Sequence, residues 1–208
     1  MDNHAATANL QVIRTLMERT ALYRQALAPI MIATGVIGTL GAVAGIALHI
    51  EMLHHFCRFW LLVGVGGMGV ALGIARQQSL KVREPFWSPP ARRVVAALIP
   101  ALLLGGSLGL GLLELSDGEM KDYLMVPTIW IALYGCALHG AGYFTTRGLR
   151  LFGWGCLLPA CAALPLVMRP IGQLPWQLPH VVMGAWFGVF HLLYGAYLFV
   201  TEKKETAA

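Results

Sequence analysis

The sequence has few charged residues. Aspartate, glutamate, lysine and arginine make up 12% of its 208 residues, about half the share found in soluble domains. Hydrophobic residues make up 57% of the chain, which is more apolar surface than a water-soluble protein of this size buries. This composition excludes the soluble, fibrous and disordered classes and indicates a protein whose solvent is lipid.

Cysteine patterns typical of zinc sites or disulfide frameworks are also missing. The chain has four cysteines and no C-x-x-C pair, so we interpret them as small packing residues. The net charge of +5 suggests nucleic acid at first sight. The positions of the basic residues explain that charge by membrane orientation, and we expect no nucleic-acid partner.

No apolar run occurs close to the N-terminus. The first begins near Pro29, too far along the chain for an ordinary cleavable signal peptide, so we expect it to remain as a membrane span. Six runs of about 20 residues are long enough to cross a hydrocarbon core of roughly 30 Å, where only helices satisfy the backbone. The sequence therefore predicts an all-α, polytopic bundle of six transmembrane helices. The predicted spans cover about Pro29–His49, Phe59–Ala75, Val94–Leu113, Leu124–Phe144, Leu149–Met168 and His180–Val200.

The basic residues divide unequally between the two sides of this bundle. Three of the 15 lysines and arginines lie on one side, namely Arg58, Lys121 and Arg169, whereas the acidic residues divide evenly. The other twelve are Arg14, Arg19, Arg24, Arg76, Lys81, Arg83, Arg92, Arg93, Arg147, Arg150, Lys203 and Lys204. The positive-inside rule places this richer side, with both termini, in the cytoplasm.

The segment before the first span has a helical apolar repeat and a basic polar face. Leu10, Ile13 and Leu16 lie on the apolar face, and Arg14 and Glu18 on the polar one. We expect residues 1–28 to form a cytoplasmic amphipathic helix that binds anionic lipids of the inner leaflet. The alternative is a docking face for a cytoplasmic partner. Residues 29–200 then form the six-span domain, and residues 201–208 a cytoplasmic tail.

Acidic residues are absent from the middle of every predicted span. The ionisable side chains expected at depth are His139 and His191. They can pin helices together by hydrogen bonds, bind a haem as axial ligands, or act as a proton relay or substrate contact. We expect the first role, and the other two remain alternatives.

A second group of polar residues lies at the predicted outer face. His49, Glu51, His54 and His55 offer imidazoles and a carboxylate that can bind a divalent metal. Their spacing does not define a coordination geometry, so a wet helix end is the interpretation we favour.

Glycine is abundant, with 24 residues concentrated in the spans. In the second span, "GVGGMGVALG" predicts a helix-packing face, because small residues let backbones approach in lipid. In the third, "GGSLG" at 105–109 matches the G-x-S-x-G string of serine hydrolases. We interpret Ser107 as a packing residue, since no positioned base is evident, and no catalytic residue is predicted.

The segments "EPFWSPPARR" and "LYGCALHGAGYFTTRG" resemble those of a group of uncharacterised bacterial multi-pass membrane proteins. The resemblance covers most of the chain and implies a bacterial inner (cytoplasmic) membrane location. It implies no activity, cofactor or site residue.

Three functional hypotheses follow from these features. Pro100, Pro159 and Pro165 predict kinked helices, and the similar spans 58–76 and 150–169 suggest an inverted repeat. The leading hypothesis is a small transporter or channel-like protein. The alternatives are a membrane-bound b-type haem or redox protein, and a non-catalytic accessory or sensing protein. The last would act as a homo-oligomer or through a cytoplasmic partner on the N-terminal helix.

The charge distribution predicts where reporters fused to the chain will lie. We expect green fluorescent protein to fluoresce when fused after Ala208, and alkaline phosphatase to be active when inserted at Asp117. Alkaline phosphatase fused after Ala208 should be inactive, and green fluorescent protein inserted at Asp117 should not fluoresce. The opposite pattern at either site would contradict the predicted orientation.

Overall fold

The computed structural model describes residues 26–81, 85–114, 120–169 and 174–206, and every regular element in these ranges is helical. Six helices are long and apolar enough to cross a membrane, which confirms the six predicted spans. They are α1 (Ala26–Ala47), α2 (Leu53–Lys81), α3 (Pro89–Gly111), α4 (Met120–Ala141), α5 (Arg147–Val167) and α6 (178–206). Most of the predicted amphipathic helix over residues 1–28 lies outside the described residues, and the direction of crossing stays a prediction.

Helix α6 is interrupted by a π-helical turn. It runs as α-helix over Leu178–Met183, as π-helix over Gly184–Phe190, and as α-helix again over His191–Thr206. A π turn adds a residue to the helical repeat, so it changes which side chains face the neighbouring helices. Such turns occur often at functional sites.

Helices α1 and α6 meet with their backbones in contact. A Cβ atom added at Gly188 would lie 2.8 Å from the backbone nitrogen of Thr39, and one at Gly35 would lie 2.8 Å from that of Leu192. A Cβ atom added at Gly38 would lie closer still to the backbone carbonyl of Phe187. Lipid supplies little hydrophobic drive between helices, so this close approach is what allows α1 and α6 to pack.

Helices α4 and α5 form a second close pair. A Cβ atom added at Gly135 of α4 would lie 2.8 Å from the carbonyl oxygen of Gly153 of α5. The largest group of buried apolar side chains surrounds this pair and includes Ile131, Leu138 and Phe152. Side chains of α1, α3 and α6 pack against the same group, so five of the six helices contribute to this core.

Helix α2 does not use its glycines in this way. No atom of the described chain lies within 4 Å of a Cβ added at Gly64, Gly66, Gly67, Gly69 or Gly73. The predicted packing face is therefore wrong for contacts among residues 26–81, 85–114, 120–169 and 174–206. Its cause is geometric, because α2 contacts α3 near one end, through Leu61 and Gly109, and the α2 glycines lie beyond that contact.

The turn between α1 and α2 is closed by a Schellman motif. The Ile50 N–H bonds to the Gly45 carbonyl at 3.1 Å, and the His49 N–H bonds to the Ile46 carbonyl at 3.1 Å. His49 takes the left-handed position at φ 50°, where glycine is the usual residue. The motif turns Ile50 back toward the bundle, which matters for the buried site described below.

The glycine contacts predict unequal effects of the same substitution. Gly188→Ala should destabilise the protein by about 1–3 kcal/mol, because its methyl group meets the backbone of Thr39. Gly66→Ala, whose methyl group meets no described atom, should be neutral or slightly stabilising. Thermal unfolding in detergent, followed by tryptophan fluorescence, measures both. Equal melting temperatures for the two variants would contradict the close α1–α6 contact.

Candidate functional site

A cavity of about 370 Å³ lies between five of the six helices. This volume is within the roughly 300–1,000 Å³ typical of small-molecule sites. The cavity walls come from near the middle of each helix, so it lies at the depth of the bilayer core. Its lining includes Thr34, Ile37 and Gly38 of α1, Trp60 to Met68 of α2, Ala101 to Gly106 of α3, Trp130, Leu133 and Tyr134 of α4, and Met183 and Phe187 of α6.

The cavity opens beside α2. Three of its lining residues are exposed, Gly64, Val65 and Met68, and all three lie on this helix. Val65 is 71% exposed and Met68 43%. They share a helical face with Leu61, which contacts Gly109 of α3. The mouth is therefore the gap that forms where α2 and α3 separate.

The tryptophan side chains of the cavity are fixed by hydrogen bonds. Trp130 Nε1 donates to the Gly105 carbonyl at 2.9 Å, which joins α4 to α3. Trp60 Nε1 donates to His180 Nδ1 at 3.1 Å, which joins α2 to α6. Both rings can therefore act as rigid walls, because their polar atoms are satisfied within the protein.

His180 is fully buried and joins three parts of the chain. Its Nδ1 accepts from Trp60, so its Nε2 carries the proton and donates to the Ile50 carbonyl at 3.0 Å. The edge of its ring meets Phe56, and the ring lies directly over Gly45 of α1. This arrangement makes His180 a structural link between α6, α2 and the α1–α2 turn.

His191 lies further along α6 and also joins this helix to a neighbouring one. Its Nδ1 donates to the Trp186 carbonyl at 2.7 Å, and its Nε2 accepts from the Tyr134 hydroxyl at 2.7 Å. The ring is 2% exposed and neutral in this arrangement, the form that avoids an unpaired buried charge. The Trp186 carbonyl belongs to the π turn, so His191 ties that turn to α4.

His139 lies in a different environment from His191. Its ring meets the edges of Tyr143 and Trp154, and its Nδ1 has no hydrogen-bond partner among the described residues. No hydrogen bond or ring contact joins His139 to His191. The contact with Trp154 connects α4 to α5.

These placements do not fit a haem held by His139 and His191. Both nitrogens of His191 are bonded to protein oxygens, so neither has a free electron pair for iron. Neither histidine lines the cavity.

The four candidate metal ligands lie near the α1–α2 turn as two separate pairs. His49 Nδ1 is 3.6 Å from Glu51 Oε1, and the rings of His54 and His55 are 4.1 Å apart. His49 also packs against Trp176. Within the ranges the structure describes, no group of three or more His, Cys, Asp or Glu side chains is placed to bind a metal.

Ser107 is exposed on α3. His180 of α6 has both nitrogens committed to Trp60 and Ile50. Within the described part of the chain, the structure shows no base bonded to the serine of the G-x-S-x-G string.

The residues that matter most at the cavity are aromatic, and the sequence analysis did not single them out. Trp130 and Tyr134 each carry one polar atom at mid-span, where lipid cannot satisfy it, whereas Trp60 lies near the start of α2. The need of such an atom for a hydrogen-bond partner within the protein is the signal that the sequence offers. It predicts that each residue has a partner, although it does not identify which one.

Comparison with known proteins found no family model, no curated protein and no solved structure that matches this chain.

The Tyr134–His191 hydrogen bond predicts a loss of stability on removing one hydroxyl group. Tyr134→Phe leaves His191 Nε2 buried without a donor, so unfolding should become easier by about 1–2 kcal/mol. Tyr143→Phe is the matched control, because Tyr143 is exposed and its ring contacts are retained. The measurement is thermal unfolding in detergent. A melting temperature of Tyr134→Phe equal to that of the control would contradict the assigned bond.

Proposed function

We propose that the protein is a small transporter that takes a small molecule into the cavity between α1, α2, α3, α4 and α6. The observation that carries this proposal is the position of the cavity. Its walls include Ile37, Gly67 and Trp130, each near the middle of its helix. A molecule bound there is surrounded by protein at the depth of the hydrocarbon core.

Two helices of the cavity wall, α3 and α6, have an irregular backbone hydrogen-bond pattern, which movement of the wall requires. Phe187 lies within the π turn of α6, and Pro100 precedes the α3 wall residue Ala101. Helices broken at mid-membrane are common in transporters, where the weakened backbone lets a wall move. We further propose that both termini face the cytoplasm of a bacterial cell, on the distribution of basic residues in the sequence.

An ion is a poor candidate for the transported species. Among the residues that the structure describes, no charged or histidine side chain lines the cavity. A desolvated ion needs oxygen ligands or an opposite charge, and ionisable groups at mid-membrane usually supply them. The proposal therefore concerns a molecule that does not need such groups.

Native mass spectrometry of the protein in mild detergent tests the proposal. We expect a bound small molecule in the wild type and in Gly66→Leu, and its loss in Gly67→Leu. Gly67 lines the cavity whereas Gly66 does not, and neither position has a neighbour within 4 Å of an added Cβ. The leucine at 67 should thus fill the cavity without straining the fold.

The movement of the molecule so identified can then be measured across the membrane of vesicles that contain the protein. Its exchange should be about tenfold slower with Gly67→Leu than with wild type, which corresponds to about 1.4 kcal/mol. A wild-type protein that carries no bound mass and produces no exchange above protein-free vesicles would rule the proposal out.

A further inference from the structure

We propose that the cavity takes an uncharged hydrocarbon group, which reaches it sideways from the bilayer through the gap between α2 and α3. This inference rests on the proposed function and names the class of molecule that the cavity binds. Two observations carry it: the state of the polar atoms in the cavity wall, and the position and composition of the mouth.

Every side-chain donor in the cavity wall is already used. The Trp60 and Trp130 N–H groups donate to His180 and to the Gly105 carbonyl. The Tyr134 hydroxyl donates to His191 Nε2, and the Thr34 hydroxyl donates to the Ile30 carbonyl at 2.8 Å. These four are the side-chain hydrogen-bond donors among the lining residues, and each is bonded to another part of the protein.

The cavity wall offers a ligand no free side-chain donor, and this limits the kind of ligand that binds. A carboxylate or phosphate group would lose its hydration shell on binding and gain neither a donor nor an opposite charge, and an ammonium group would gain no carboxylate partner. A hydrocarbon group loses nothing of that kind and gains contact with the rings of Trp60, Trp130 and Phe187. The wall therefore favours an apolar group over a charged one.

The mouth of the cavity also favours an apolar ligand. Its exposed residues are Gly64, Val65 and Met68, none of which is polar, and it lies at mid-helix rather than at either end of the bundle. In a membrane this opening meets lipid chains. An apolar ligand can enter through it without crossing water or the headgroup layer.

The glycines of α2 explain why the mouth is open. Gly64 and Gly67 both line the cavity, and no atom of the described chain occupies the space where their side chains would project. Larger residues there would fill the gap between α2 and α3. Gly64 and Gly67 therefore shape the opening, whereas Gly66, Gly69 and Gly73 do not line the cavity.

The volume limits the size of the bound group. At about 30 Å³ for each water-sized unit, 370 Å³ holds about twelve such units. This is enough for a hydrocarbon of roughly a dozen carbons, or for that length of a longer chain whose remainder stays in the bilayer. A free neutral lipophile and the acyl chain of a membrane lipid share this chemistry.

Photo-crosslinking of the full-length protein in phosphatidylethanolamine and phosphatidylglycerol nanodiscs tests the inference. Two probes carry the same diazirine, one on dodecanol and one at mid-chain of phosphatidylethanolamine. We expect labelling of peptides that contain Trp60, Gly105 or Trp130 by at least one probe. The probe that labels them identifies whether the source is a free lipophile or a membrane lipid.

The variants decide whether that labelling reports the cavity. Gly67→Leu should reduce it about tenfold, equivalent to about 1.4 kcal/mol of lost affinity, whereas Gly66→Leu should leave it unchanged. Absence of labelling by both probes, or equal labelling of the two variants, would overturn the inference.

The outcome also separates this inference from the proposed function. A polar molecule that co-purifies with the wild type and is lost from Gly67→Leu would support the cavity as a ligand site. If the hydrocarbon probes then failed to label the cavity, the ligand class would be wrong and the proposed function would stand.

Discussion

The backbones of α1 and α6 touch, and the rest of the bundle is arranged around that contact. Gly35, Gly38 and Gly188 leave no room for a side chain between the two helices, so their axes are held at a fixed close distance. Residues on either side of this line then face α4 and α5 on one side and α2 on the other. The two histidines of α6 extend these connections, since His180 bonds to α2 and His191 to α4.

The cavity forms because α2 packs less closely against its neighbours than the other helices do. Helices α1, α3, α4, α5 and α6 share a buried apolar core, whereas α2 contacts α3 mainly where α2 begins and α3 ends. Trp130 is bonded to α3 and Trp60 to α6, so their rings cannot rotate into the space between the helices. Rigid aromatic walls beside two diverging helices leave a volume that the protein itself does not fill.

Much of the fold could be predicted from the sequence, and less of the site. Membrane thickness dictates the span length, so runs of apolar residues identify all six helices. The role of His180 was not predictable, because Trp60 is 120 residues away and no local pattern pairs them. The glycines of α1 and α2 also look alike in the sequence, yet Gly35 and Gly38 of α1 touch the backbone of another helix and the α2 glycines touch no described atom. What separates them is which neighbour is present, and composition does not encode it.

The pairing of α1 with α6 has a consequence for how the chain is made. The two helices are the first and the last of the six spans, so α1 must enter the membrane well before its principal partner has been synthesised. Until α6 arrives, the surface around Gly38 has only lipid or the intervening helices to contact. The contact between α1 and α6 can thus form only after Gly188 has been synthesised, and a ribosome that stalls before this residue would leave α1 without it.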